Sequence, residues 1–245
     1  MHYKKFPQEV TLIMINANKK LGVLLYPRVQ PMDVIGPWEV FATWKNILGG
    51  PLDMYLVAET MDLVQGENGI VLKPHCEFSN APQFDFLLIP GGPGRREQIF
   101  NKTTIHFISH QAVFCEYVLS VCTGAFLLNA AKLLQDKQAT TYWRALDELR
   151  LNDDVDVVEE RIVKSGNIWT AGGVSSGIDL ALAFINEIAG SETACKVQVL
   201  FEYFPSNTIY CHKARTLELP PYTADGLKKE ETLPDYVKKI MKQIG

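Results

Sequence analysis

Several absences narrow the function that this chain can have. Its 24 lysines and arginines are outnumbered by 28 aspartates and glutamates, and the net charge of −4 gives no electrostatic basis for binding nucleic acid. The apolar run Val10 to Ile15 is too short for a membrane span or a signal-peptide core, and no small-residue cleavage site follows it. We therefore expect a partner that is neither nucleic acid nor membrane.

Cysteine and histidine are sparse and poorly placed for the usual sites. The five cysteines are odd in number, scattered and free of any C-x-x-C pair, which predicts neither a disulfide framework nor zinc and favours the cytoplasm. Only His212 follows Cys122, so a Cys–His–acid triad is not supported. His106 and His110 share a helix face but lack the glutamate of an H-E-x-x-H metal site. With no glycine-rich nucleotide motif either, we expect no metal and no bound nucleotide.

The most informative feature that is present is a cysteine between a predicted strand and a predicted helix. Val118 to Val121 is apolar and predicts a strand, whereas Thr123 to Leu134 has the apolar spacing of a helix. Cys122 lies at the junction, where small residues allow a sharp turn that exposes a nucleophile. A helix N-terminus there would favour the thiolate form. The alternative is an ordinary buried cysteine, the commoner role of this residue type.

Alternating strands and helices predict one large α/β domain with a mostly parallel sheet covered on both faces. The apolar runs Leu21 to Tyr26 and Phe84 to Pro90 are typical of strands buried on both faces. Pro37 suits the first turn of a helix, and a hairpin is predicted between Arg161 and Thr170. Ligands of such folds bind at the carboxyl ends of the strands.

Three features fall at these carboxyl ends. Asp33 follows the first strand, Gly91 and Gly92 follow a middle strand, and Cys122 follows the next. Asp33 can exchange a proton with the thiol, or it can simply cap the following helix. The N–H groups of Gly91, Gly92 and Thr123 can form an oxyanion hole, although a glycine-rich segment is also a common tight turn. The Thr123 hydroxyl can bind substrate or cap the elbow helix.

Aromatic residues near these positions are candidates for an apolar substrate pocket. Trp38 lies in the helix after Asp33, Phe126 in the elbow helix, and Tyr142 and Trp143 beyond it. Ordinary core packing is the alternative for each of them.

Five segments of the chain resemble the ThiJ/PfpI superfamily, which has the class I glutamine amidotransferase-like fold. They are D-V-I-G-P-W-E-V-F from Asp33, F-D-F-L-L-I-P-G-G from Phe84, L-S-V-C-T-G-A-F-L-L-N-A-A-K-L-L from Leu119, A-T-T-Y-W from Ala139, and T-A-G-G-V-S-S-G-I-D-L-A-L from Thr170. The resemblance implies a flavodoxin-like three-layer sandwich over residues 21–204. Residues 1–20 are then an N-terminal arm, and 205–245 a C-terminal extension that packs on the same domain.

Within that superfamily the pattern is most similar to isonitrile hydratases. The resemblance implies a homodimeric hydro-lyase without a cofactor, which adds water to a small-molecule isocyanide and releases an N-substituted formamide through a thioimidate on the cysteine. The nucleophile of those enzymes falls on Cys122, the threonine after it on Thr123, and the acidic residue on Asp33. One departure is Tyr142, where close relatives are expected to carry histidine, so the pocket and the substrate are expected to differ.

Two other classes of function stay open at this point. The same domain occurs in AraC-like regulators, which suggests a non-catalytic small-molecule sensor, although the tail here is too short for a helix-turn-helix module. A glyoxalase-like or deglycase-like activity on reactive carbonyls, or a redox response of Cys122, needs the same thiol beside a carboxyl group.

Overall fold

The computed structural model describes residues 18–205 and 220–222. Most of the predicted N-terminal arm and of the C-terminal extension therefore lies outside the described residues. In chain order the strands are β1 (Lys19–Leu24), β2 (Leu52–Ala58), β3 (Val64–Gln65), β4 (Val71–Leu72), β5 (Cys76–Glu77), β6 (Phe86–Ile89), β7 (Tyr117–Val121), β8 (Lys137–Ala139), β9 (Val155–Val157), β10 (Ile162–Ser165) and β11 (Ile168–Ala171). The helices are α1 (Pro31–Leu48), α2 (Arg95–Gln98), α3 (Lys102–Ala112), α4 (Ala125–Ala130), α5 (Leu146–Leu149), α6 (Ser176–Ala189) and α7 (Ser191–Leu200).

A central sheet of seven strands has the order β10-β11-β7-β6-β1-β2-β5. Every neighbouring pair is parallel except β10 and β11, which form the antiparallel hairpin predicted from the sequence. Strand β6 is buried along its whole length, as are β11 and all but the first residue of β7, so both faces of the sheet are covered. The predicted mostly parallel α/β fold is confirmed.

The helices form two packed groups around this sheet. Helices α1, α6 and α7 contact one another, and α2 and α3 each contact α4. The first group encloses Phe184 of α6, whose ring meets Phe41, Phe86, Tyr117 and Trp169 in edge-to-face contacts. No helix in the described part of the chain is both long enough and apolar enough to cross a membrane.

Two helix boundaries differ from the sequence prediction, and both differences affect the site. Helix α1 begins at Pro31 rather than near Pro37, because Gln30 caps its N-terminus and Pro31 occupies the first turn. Pro37 is therefore inside the helix. The elbow helix is shorter than the predicted run Thr123 to Leu134: a 3₁₀ turn, Cys122–Gly124, precedes the six residues of α4.

Candidate active site

The carboxyl ends of three adjacent strands bring the predicted site residues together. Strands β7, β6 and β1 are neighbours in the sheet and run parallel. Cys122 directly follows β7, Gly91 and Gly92 follow β6, and Asp33 lies in the first turn of the helix after β1. Residues far apart in the chain thus meet at one edge of the sheet, as parallel topology requires.

Cys122 has the backbone geometry of a nucleophile elbow. Its φ is 57°, a left-handed conformation that side chains other than glycine rarely adopt. The Cys122 N–H donates to the Gly172 carbonyl at 2.8 Å, and its carbonyl accepts from the Thr141 hydroxyl at 2.8 Å. These two bonds hold the strained turn from both sides, and the side chain is 7% exposed.

Glycine is required where the strand ends pack against this turn. A Cβ on Gly91 would lie 2.5 Å from the Thr123 nitrogen and 2.9 Å from Cys122 Cβ. A Cβ on Gly124 would lie 2.1 Å from the carbonyl oxygen of Ile89. All three distances are below any normal contact, so the elbow can pack directly against the end of β6 because these two positions lack side chains.

Asp33 lies in the candidate site and does not cap helix α1. Gln30 provides the cap, while the Asp33 side chain is fully buried and its Oδ2 accepts a hydrogen bond from the Gly91 N–H at 2.9 Å. Oδ1 has no well-oriented hydrogen-bond partner among the described residues. The thiol of Cys122 interacts with this carboxyl group and opposes the rise in its pKa. A buried carboxyl next to a thiol is the arrangement that proton exchange between them needs.

Burial controls the protonation of this pair. It raises the pKa of Asp33 from 3.8 to about 7, against the lowering effect of the Gly91 and Cys122 hydrogen bonds. Burial, and then the negative charge of Asp33, raise the pKa of Cys122 from 9.0 to about 12. This is the opposite of the sequence prediction, in which the helix N-terminus favours a thiolate: burial and the Asp33 charge raise the pKa of the thiol instead of lowering it.

The predicted oxyanion hole has different donors from those expected. The Gly91 N–H is occupied by Asp33, and the Gly92 N–H donates to the Thr123 hydroxyl at 3.0 Å. The backbone N–H groups that act on the Cys122 sulfur are those of Thr123 and Val174, and both lower its pKa. Thr123 lies beside Cys122 as predicted, whereas the N–H groups of Gly91 and Gly92 bind the side chains of Asp33 and Thr123.

A cleft of about 590 Å³ opens above Cys122. Its walls are more polar than the sequence suggests, because four arginines and one glutamate line them. Arg95 is buried and pairs with Glu148 through two hydrogen bonds of 2.7 and 2.5 Å. The lining residues are Arg28, Gln30, Gly92, Pro93, Arg95, Arg96, Cys122, Thr123, Tyr142, Arg144, Ala145, Glu148 and Val174.

Of the aromatic residues predicted to line the pocket, only Tyr142 does so. Trp38 packs against His75, with ring centroids 5.6 Å apart. Trp143 meets Tyr142 edge to face, and Phe126 lies under the Arg95 guanidinium at 3.9 Å. The apolar pocket expected from these residues is thus replaced by a cleft with one aromatic wall and several guanidinium groups.

Two further tyrosines lie near the site, and no pattern in the sequence predicts their place there. Tyr26, at the end of β1, is buried and donates to the Pro90 carbonyl at 2.8 Å, and the Asp33 charge contributes to the raised pKa of its hydroxyl. Tyr222 is buried against Gly172, and the Cys122 charge contributes to its raised pKa. Tyr222 lies about 100 positions after Cys122 in the chain. Local sequence patterns cannot predict that two residues so far apart in the chain are neighbours in the fold.

Histidine and metal chemistry have no basis in the described part of the chain. His75 packs on Trp38, and His106 and His110 are exposed on α3 with ring centroids 6.0 Å apart. None of the three lines the cleft. Within residues 18–205 and 220–222, no three histidine, cysteine, aspartate or glutamate side chains cluster as a metal site would need. Among the described residues, the groups that act on Cys122 are the Asp33 carboxyl group, the Thr123 hydroxyl and the N–H groups of Thr123 and Val174.

Several known proteins are similar to this chain in sequence or in fold. Isonitrile hydratase from Pseudomonas putida is 38% identical over 187 residues, which are 76% of this chain and 79% of that protein. Deglycase PH1704 from Pyrococcus horikoshii is 24% identical over 128 residues, 51% of this chain and 76% of its own length. The crystal structure of a ThiJ/PfpI family protein from Pseudomonas syringae has a TM-score of 0.72 at 26% identity and covers 99% of this chain and 94% of its own.

A family model matches the domain that carries the elbow. The model of the DJ-1/PfpI family matches residues 19–187, from the first strand of the sheet into the last turn of α6. The match includes Asp33, Gly91, Cys122 and Tyr142, the residues that meet at the cleft floor and wall. The chain belongs to the DJ-1/PfpI family.

Proposed function

We propose that this protein hydrates an isocyanide to an N-substituted formamide at Cys122. The observation that carries the proposal is the buried thiol–carboxyl pair of Cys122 and Asp33, with no histidine in the cleft among the described residues. Adding water to an isocyanide needs a nucleophile for its terminal carbon and one group that can deliver and remove protons. The similarity to isonitrile hydratase supports the same reaction.

The first half of the reaction forms the carbon–sulfur bond. As Cys122 sulfur attacks the terminal carbon, the Asp33 carboxylate takes the thiol proton and then delivers it to that carbon. The product is a thioimidate, R–N=CH–S–Cys122, and Asp33 is again ionised. Because the pKa of Asp33 is about 7, the carboxyl group can both accept and donate a proton near neutral pH.

The second half adds water and releases the product. Asp33 removes a proton from the attacking water and passes it to the nitrogen, which leaves R–NH–CH(OH)–S–Cys122. The hydroxyl proton then passes through Asp33 to sulfur as the carbon–sulfur bond breaks, which releases R–NH–CHO and the thiol. The N–H groups of Thr123 and Val174 stabilise negative charge that develops on the sulfur.

The test is formamide formation from a simple alkyl isocyanide, followed by mass spectrometry. We expect turnover by the unmodified protein, background levels for Cys122→Ala, and unchanged turnover for Cys195→Ala, because Cys195 is exposed on α7 and outside the cleft. Circular dichroism of each variant checks the fold. Unchanged turnover by Cys122→Ala would rule out the mechanism.

The second candidate is chemistry on reactive carbonyl compounds. It is favoured by the similarity to a deglycase, and the same thiol and carboxyl group could form and break a hemithioacetal. Formation of lactate from methylglyoxal, with no formamide from any isocyanide, would support it. Binding of an isocyanide without turnover would support a sensor.

A further inference from the structure

The charge of the cleft contrasts with the charge of the whole chain. The protein has a net charge of −4, yet four of the residues that line the cleft above Cys122 are arginines and only one is acidic. That one, Glu148, is already paired in a two-pronged contact with the buried Arg95. Among the described residues that line the cleft, positive charge therefore exceeds negative charge beside Cys122.

The other three arginines differ in their ion pairing among the described residues. Arg28 is paired with Glu67, with its Nε 3.5 Å from a carboxylate oxygen. Arg96 and Arg144 are exposed and form no ion pair within the described residues, although the charge of Arg96 helps to lower the pKa of Glu148. The guanidinium of Arg144 lies 5.3 Å from the ring of Trp143. The planar guanidinium of an arginine can bind a carboxylate or phosphate with two parallel hydrogen bonds.

A neutral alkyl isocyanide has no charged group that could bind these guanidinium groups. Apolar substrates bind where apolar side chains surround them, and Trp38 and Trp143 do not line this cleft. We propose that the substrate carries a carboxylate or phosphate group, which Arg96 and Arg144 bind while its reactive carbon reaches Cys122. The identity of the reacting carbon rests on the proposed isocyanide function, whereas the anion site does not.

The first test compares two substrates that differ only in charge, isocyanoacetate and methyl isocyanoacetate. We expect a higher kcat/KM for isocyanoacetate, and a loss of about tenfold for this substrate in Arg96→Gln and in Arg144→Gln, as expected when one charged hydrogen-bonding partner is removed. The ester should change less than about threefold. Arg150→Gln, which removes the same charge outside the cleft, should leave both substrates unchanged.

The second test does not need an isocyanide. Iodoacetate and iodoacetamide alkylate the same thiolate and differ in charge, so the ratio of their rates measures the local potential and is independent of the pKa of the thiol. The exposed Cys195 of the same molecule is the reference. By peptide mass spectrometry we expect the iodoacetate-to-iodoacetamide ratio to be about fivefold higher at Cys122 than at Cys195, for partly screened charges close to the thiol.

The arginine variants complete this second test. Arg96→Gln and Arg144→Gln should each lower the ratio at Cys122 about two- to fivefold and leave it unchanged at Cys195. Protection of Cys122 by acetate but not by inorganic phosphate would identify a carboxylate site, and the reverse a phosphate site. Equal ratios at the two cysteines, or a ratio that neither variant changes, would overturn the anion site.

The two tests separate the two proposals. If no isocyanide is hydrated but the alkylation ratio responds to Arg96→Gln and Arg144→Gln, the anion site stands and the isocyanide function fails. If both isocyanides are hydrated equally well and the ratio does not respond, the function stands and the anion site fails.

Discussion

The floor and the rim of the cleft are built in different ways. The floor consists of Asp33, Gly91, Cys122 and Thr123, which are buried or half-buried and joined through backbone N–H groups at the ends of three parallel strands. The rim consists of Arg28, Arg96 and Arg144, which are exposed. The backbone of the fold fixes the positions of the floor residues. The rim consists of long, exposed side chains, which can be replaced without disturbing the backbone. We infer that the floor determines the reaction and the rim determines the substrate.

Asp33→Asn should have the largest effect on turnover. It removes the carboxyl group that interacts with the thiol, so we expect kcat/KM to fall about 10²–10⁴-fold, which is typical for loss of a general acid–base group. In the unmodified protein the rate should fall as pH drops below about 7, because Asp33 becomes protonated there. A change of only a few-fold in Asp33→Asn would remove Asp33 from the reaction.

The same substitution should stabilise the fold at high pH. The pKa of Asp33 rises from 3.8 to about 7 on folding, so the folded state holds the proton more tightly than the unfolded state. The contribution of Asp33 to the free energy of unfolding is therefore fully present below about pH 4 and decreases between pH 4 and 7. Above pH 7 the free energy of unfolding is lower than at pH 4 by about 4 kcal/mol. Urea unfolding of Asp33→Asn and the unmodified protein at pH 4 and pH 8 measures this. A gain at pH 8 that disappears at pH 4 is expected, and equal stability at both would contradict it.

Gly91→Ala tests the backbone contact on which the floor depends. The added Cβ meets the backbone nitrogen of Thr123 at 2.5 Å, so the strand end and the elbow must move apart. We expect a loss of about 1–3 kcal/mol in the free energy of unfolding, the usual cost of overpacking, together with loss of turnover. Gly69→Ala is the control: its Cβ has no neighbour within 4 Å, so turnover should be unaffected despite the positive φ of 83°.

Thr123→Val isolates the hydrogen bond between the glycine segment and the elbow. The Gly92 N–H loses its acceptor at 3.0 Å, and leaving a buried donor unpaired costs about 1–3 kcal/mol. We expect turnover to fall about tenfold, because the hydroxyl also contacts the Cys122 sulfur. Thr123→Ser keeps the hydroxyl and should restore both the unfolding free energy and most of the rate. Failure of serine to do so would mean that the methyl group matters instead.

Tyr142→His should have the smallest effect. Tyr142 lines the cleft wall and does not contact the buried pair among the described hydrogen bonds, so we expect kcat to stay within about threefold and the relative KM of bulky and small substrates to change. Steady-state kinetics with two isocyanides of different size measures this change. A larger loss of kcat in Tyr142→His than in Thr123→Val would contradict the inference that the floor alone determines the reaction.

The sequence predicted the floor far better than the rim. Buried parallel strands appear as continuous apolar runs, and ligand groups follow their carboxyl ends, so Asp33, Gly91 and Cys122 could be placed at one edge. The arginines of the cleft could not be found, because Arg28, Arg95 and Arg144 come from separate loops and short helices and form no cluster in the sequence. Trp38 and Trp143 were misplaced because an aromatic residue at helical spacing does not indicate which side of the helix faces the cleft.

The amino-acid sequence by itself determined the order of strands and helices and the position of a cysteine at an elbow, because both depend on local patterns of apolar and small residues. Only the tertiary structure decided that the Asp33 carboxyl group faces the thiol, that the pair is buried deeply enough to raise both pKa values, and that guanidinium groups surround the opening. The physical reason is that desolvation and charge depend on which groups meet in space, and a parallel sheet brings together residues that lie far apart in the chain.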